Sequence, residues 1–147
     1  ACCWNVVSPE QVRSLRAELD AAARKAGRTR PALAAWLPAA VDPDPRSLAQ
    51  VLGSIAGYLT VPGYSEVFAQ AGFGDAVELA ASGADRETLV RPPPAAAAGT
   101  VGLVGDPDAV RARIDAYTEA GLDEIALVPA TAGDPGGERT LTALGPA

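Results

Sequence analysis

Apolar residues fall along this chain in two kinds of run, short continuous stretches and stripes at helical spacing, and the two alternate. The opening stretch ends at Val6-Val7. Ser8-Pro9-Glu10-Gln11 follows with a capping hydroxyl, a proline at the first helical position and a glutamine three residues after the serine. The spacing predicts a helix whose apolar stripe is Val12, Leu15, Leu19, Ala22, Ala23 and Ala26, closed by Gly27. Ala32 to Val41 is a second apolar run, bounded by Pro31 and the turn Asp42-Pro43-Asp44-Pro45. Its continuity suits a strand buried on both faces, with Trp36 in the core and Pro38 at the strand's end. Leu48, Val51, Leu52, Ile55 and Leu59 then mark a second amphipathic helix.

From residue 64 to about residue 90 the helical signals are broken, which predicts short helices over a rim or an outer surface. Arg91-Pro92-Pro93-Pro94 with Ala95 to Ala98 reads as a connector. Val101-Gly102-Leu103-Val104-Gly105 leads to Asp106-Pro107-Asp108, a capping carboxylate with a proline in the first turn. A helix with Val110, Ile114 and Tyr117 on one face comes next. Gly121 closes it, Leu122 to Pro129 reads as a buried strand, and the loop Gly133 to Gly137 precedes a terminal helix from about Glu138 to Leu144.

Strands that alternate with helices predict a parallel sheet joined by right-handed crossovers, with strands near residues 1 to 7, 32 to 40 and 123 to 129. A complete eightfold barrel takes about 250 residues. A chain of 147 therefore reads as α/β, a partial (β/α)8 TIM barrel of three βα units with inserted helices. A part of a barrel should leave apolar positions uncovered, and Leu37, Val41, Ile125 and Leu127 are the ones expected to be exposed.

Composition narrows the chemistry. A chain 48% hydrophobic and 20% charged belongs to the globular class, and its length can bury one core. It has no Met and starts inside an apolar run, so the native N-terminus is expected upstream. Neither a secretory signal nor an apolar run long enough to span a bilayer is visible, which points to a cytoplasmic protein without a membrane partner. The net charge of −6 repels a phosphate backbone and argues against nucleic acid; the single basic cluster, Arg24 to Arg30, reads as a solvated helix end. The adjacent Cys2 and Cys3 read as buried thiols of a strand. With no His in the chain, Ser-His hydrolysis and His-ligated zinc drop out of consideration, and no metal site is expected.

The order Trp4-Asn5-Val6-Val7-Ser8-Pro9-Glu10, Ala26-Gly27-Arg28, Gly57-Tyr58-Leu59, Pro62-Gly63-Tyr64, Ala71-Gly72-Phe73-Gly74, Val101 to Pro107 and Ala120 to Pro129 resembles the C-terminal third to half of the luciferase-like monooxygenases. The similarity is greatest to the subgroup that uses the deazaflavin coenzyme F420. Cys2 and Cys3 stand where that family has Asp and Gly, which removes any role of that Asp. The resemblance implies residues 1–147 as the C-terminal segment of one barrel domain, a homo-oligomer acting on a small-molecule substrate, and F420 or alternatively FMN as cofactor. It further implies that Trp4 and Asn5, at a strand's C-terminal end, contact the cofactor in a cavity shared with the residues just beyond Val128. No catalytic acid or base is readable in this segment. Asp106 and Asp123 read as capping and turn residues, and Gly133 to Gly137 as a rim loop rather than a phosphate cradle. The rival reading is a non-catalytic partial barrel whose open strand edges make it an interaction or self-association module.

Overall fold

The structure is a computed structural model that describes residues 2–5, 7–85, 88–89 and 94–145, with backbone alone for residues 2–5 and 94–97. Its centre is a parallel sheet of four strands, β1 (Cys2–Asn5), β2 (Leu33–Val41), β3 (Leu103–Gly105) and β4 (Glu124–Pro129). Helix α1 (Pro9–Lys25) follows β1, and Ser8 with Gln11 closes the expected capping box at its start. Gly27, at φ 63°, ends it. Helix α2 (Pro45–Ala56) follows β2. The chain then runs through α3 (Tyr64–Phe68), a π-type turn at Ala69–Phe73, α4 (Gly74–Ala81) and α5 (Pro94–Val101) before reaching β3. Helix α6 (Pro107–Glu119) and the terminal α7 (Glu138–Leu144) follow β3 and β4. The expected strands, their parallel sense and the helical stretch after residue 64 are all present.

Two elements differ from the sequence-based expectation. Leu103–Gly105 is a strand in its own right and pairs with Ala39 to Val41, so there are four βα units where three were expected. Three residues are too short a run to show a period, and the partner strand defines them. Pro94–Val101 is helical, where the proline-alanine run read as a connector; residues 91–93 lie outside the described residues. Alanine is the best helix former, and Pro94 occupies the first helical position, where its missing N–H costs nothing.

β2 is the hub of the sheet. Trp36 and its neighbours pair with β1 and β4 at once, and Ala39 pairs with both Leu103 and Pro129. Since a strand has two edges, β4 lies along one and β1 and β3 follow one another along the other. Pro38, expected at the strand's end, sits inside it instead. Its nitrogen faces the edge where pairing with β1 has stopped at Trp36 and pairing with β3 begins only at Ala39, so no ladder hydrogen bond is lost.

Alternation along β2 assigns the faces. Leu33, Ala35, Leu37, Ala39 and Val41 pack with Val12, Val110, Tyr117, Ala120 and Leu122 beneath α1 and α6. A second core gathers Ala40 and Ala130 with Val51, Leu52, Ile55, Phe68, Phe73 and Val101 from the helices after β2. Between them the opposite face stays open: Trp36 is 54% and Val128 48% exposed. Trp36 is thus a surface residue rather than core. Leu37 and Val41, expected to be exposed, are buried, while Ile125 and Leu127 are half-buried. A shift of one residue exchanges the two faces of a strand, and a continuous apolar run gives no clue to which face is which. Along α1 the buried positions are Pro9, Val12 and Arg16, with Ala22 and Ala26 of the expected stripe exposed.

Candidate functional site

Val41, Gly105 and Pro129 end within two residues of one another in register and bring three loops to one rim of the sheet, while β1 ends at Asn5 beside Trp36, five residues before the end of β2. Trp4 lies beside Ala35 and Asn5 beside Trp36 in the backbone register. Their side chains are outside what the structure describes, so the cavity expected for them and for the residues beyond Val128 stays an expectation.

What the rim does assemble is a polar network of residues that carry no sequence motif. Asp44 caps α2 by accepting from the N–H groups of Arg46 at 2.9 Å and Ser47 at 2.8 Å, and the Ser47 N–H holds its carboxyl below the usual aspartate range. Ser47 Oγ donates to Ala132 O at 2.7 Å, and Gln50 Oε1 accepts from Thr131 N at 2.9 Å and Ala132 N at 2.7 Å. The loop after β4 is therefore pinned to α2. At the end of β2, Val41 N donates to Thr140 Oγ1 at 3.2 Å and Val41 O accepts from Arg139 Nε at 3.1 Å. These side chains of α7 take over the two backbone groups that β4 no longer reaches.

Asp134 decides what the glycine-rich loop can do. Its carboxylate accepts from Arg139 N at 2.9 Å, Thr140 N at 3.1 Å and Thr140 Oγ1 at 3.0 Å. Burial pushes its carboxyl up, but those donors outweigh burial and hold it below the usual value. The N–H groups that could meet a phosphate at the start of α7 are thus already taken. Gly133 is required because a Cβ there would overlap the Asp44 carboxylate, and Gly137 because one would strike Pro129. The loop is a rim loop, as its sequence suggested.

Asp106 caps α6 through Ala109 N at 2.8 Å, and Asp123 joins β4 to β2 by accepting from Leu33 N at 2.8 Å, so both serve the roles expected of them. Tyr117 donates to Val7 O within the core beneath α1 and α6. Burial pushes its phenol up to about 12, so it stays protonated near neutral pH. A cleft of about 200 Å³ opens between α1 and the Val67–Gln70 segment, lined by Val7, Gln11, Val12, Leu15, Leu33 and Ala35. It lies on the helix-covered side of the sheet with Glu18 as its single charged lining residue, and Gln11 Nε2 closes one side by donating to Val67 O at 2.7 Å. Among the described residues no three His, Cys, Asp or Glu side chains come together as a metal site would need, and no helix is long and apolar enough to cross a membrane. The rim residues Ser47, Arg139 and Thr140 escape sequence reasoning because Ala132 and Val41, the partners that bring them to the rim, are far away in the chain. Only Asp134, ahead of a helix, gave a local capping signal.

Comparison with known proteins supplies the remaining context. The structure of an F420-dependent tetrahydromethanopterin reductase from Methanopyrus kandleri superimposes with a TM-score of 0.74 at 19% identity, over 97% of this chain and 43% of that one. An F420-dependent secondary alcohol dehydrogenase, solved with an F420-acetone adduct, gives 0.57 at 18% identity, over 98% of this chain and 42% of that one. These likenesses establish the fold as part of an α/β barrel, and the chain spans less than half the length of either structure. No curated protein matches the sequence. The family model of the luciferase-like monooxygenases matches residues 1–124, and the chain belongs to that family.

Proposed function

We propose that residues 1–147 are the C-terminal part of a (β/α)8 oxidoreductase that transfers a hydride between coenzyme F420 and a small-molecule substrate, working as a cytoplasmic homo-oligomer, with FMN as the alternative cofactor. One observation carries the reading: the ends of β2, β3 and β4 meet at one rim of a parallel sheet in a chain of this family, where barrel enzymes place their sites. The two structures compared above are F420-dependent enzymes, which favours F420 over FMN.

The residues present fit part of such a cofactor. On the open face, Trp36 stands beside Ala34 on its own strand and Ala126 across the register, a flat apolar wall that a ring can meet. With the amides at the start of α7 occupied by Asp134, the described residues provide no phosphate cradle there. The bound deazaflavin supplies the redox chemistry. This chain's share is to hold the ring, exclude water from one side of it, and position it through Trp4 and Asn5 at the end of β1. The self-association reading remains the second one because Trp36 and Val128 are uncovered.

Titrating the purified chain with oxidised F420 and with FMN, while following cofactor fluorescence and sedimentation, tests this proposal. Four strands enclose only part of a pocket. Binding weaker than micromolar, with F420 ahead of FMN, is expected. Micromolar binding by a monomer would make the chain a self-sufficient cofactor domain, and preference for FMN would reverse the cofactor assignment. In the complete barrel protein, Trp4→Ala should weaken cofactor or substrate binding more than it lowers stability.

A further inference from the structure

Asp42 follows the last residue of β2 and has a φ of 45°, a left-handed conformation that no other non-glycine residue among those described adopts. Aspartate tolerates this region better than most residues, yet it still costs free energy, and Pro43 restricts the turn further. The surroundings impose it. Asp42 N donates to Gly105 O at 2.8 Å, both backbone groups of Val41 are held by Thr140 and Arg139, and Asp44 is committed to capping α2. A strained residue persists only where its neighbours fix it in this way. The side chain presented by this turn is an exposed carboxylate that bonds to no described residue, standing at the C-terminal end of the sheet's central strand.

We propose that Asp42 is a ligand-recognition residue, whose carboxylate accepts hydrogen bonds from hydroxyl or N–H groups of the small molecule bound at the rim. An ionised carboxylate accepts only and repels anions, so the matching portion of the ligand is a polyol or a heterocyclic N–H rather than a phosphate. The assignment rests on the reading above that the strand ends hold the site.

The test is amide NMR on the whole chain with millimolar F420 as probe, for the wild type, Asp42→Asn and Asp42→Gly. Asparagine keeps the tolerance for a left-handed backbone and loses the charge, whereas glycine relieves the backbone. Perturbation of the amides at residues 42 and 44 in the wild type is expected, with ~tenfold weaker binding in both variants. Both variants should unfold at or above the wild-type temperature. Unchanged affinity in Asp42→Asn, or a marked loss of stability in Asp42→Gly, overturns the assignment. Perturbations confined to other parts of the chain overturn it and leave the cofactor reading standing, and no perturbation anywhere overturns both.

Discussion

Asp123 ties three parts of the chain together at the N-terminal edge of the sheet. Its carboxylate accepts from Leu33 N at 2.8 Å and from Arg30 at 2.8 Å, with the buried Arg16 at 3.4 Å. The Leu33 N–H, together with the two guanidinium groups, holds the carboxyl below the ordinary 3.8. The folded state therefore binds this proton less tightly than the unfolded chain. The stability Asp123 contributes is complete above that ordinary value and is lost as pH falls through the lower folded one. Thermal unfolding below about pH 4 should be less pH-dependent in Asp123→Asn than in the wild type, from a lower starting midpoint at neutral pH. Gly121, at φ 98°, is the companion case: a Cβ there would come within 2.7 Å of Arg16 Cγ. Gly121→Ala should cost roughly 1–3 kcal/mol in denaturant unfolding. Gly27→Ala, with φ 63° and open space around the added methyl, should cost only about 1 kcal/mol. Both glycines were legible as helix stops. Arg16 was not, because an arginine between Val12 and Leu19 reads as solvated until Asp123 and the Pro31 carbonyl are brought to it.

Among the elements, those that carry their own end signals were the readable ones. Ser8 with Pro9 and Gln11, and Asp106 with Pro107, each start a helix where the sequence placed it, through side-chain bonds to the first turn; Asp44 with Pro45, read only as part of a turn, starts α2 in the same way. Asp106→Ala should lower stability by about 1 kcal/mol, while Asp106→Asn should be near neutral because the amide oxygen can still cap; equilibrium unfolding of the two variants measures the difference. β3 and α5 lack such signals. A three-residue strand has no period of its own, and Pro94–Val101 has no polar face to contrast with an apolar one. Pro38 was misplaced for a related reason. The rule that proline avoids a strand interior holds only where both edges are paired, and the gap between β1 and β3 is a product of the assembled sheet.

For the whole molecule, the decisive feature is the sheet's uncovered face. Parallel sheets are ordinarily covered on both sides, and here Trp36 and Val128 remain about half exposed. The purified chain should self-associate, and Trp36→Lys combined with Val128→Lys should shift sedimentation toward monomer with little loss of stability, since neither side chain is buried. A wild type that stays monomeric at every concentration would remove the self-association reading. Apolar runs, caps and stop glycines determined most of the helices and strands, because those depend on contacts within a few residues, and the alternation of strands with helices gave the parallel sense. The sequence also carried the family. Tertiary structure alone decided which face of each strand is covered, how β2 divides its edge between β1 and β3, and that Arg139, Thr140 and Gly105 fix the turn at Asp42. Those outcomes depend on register and on partners some sixty to a hundred residues away, to which local pattern is blind.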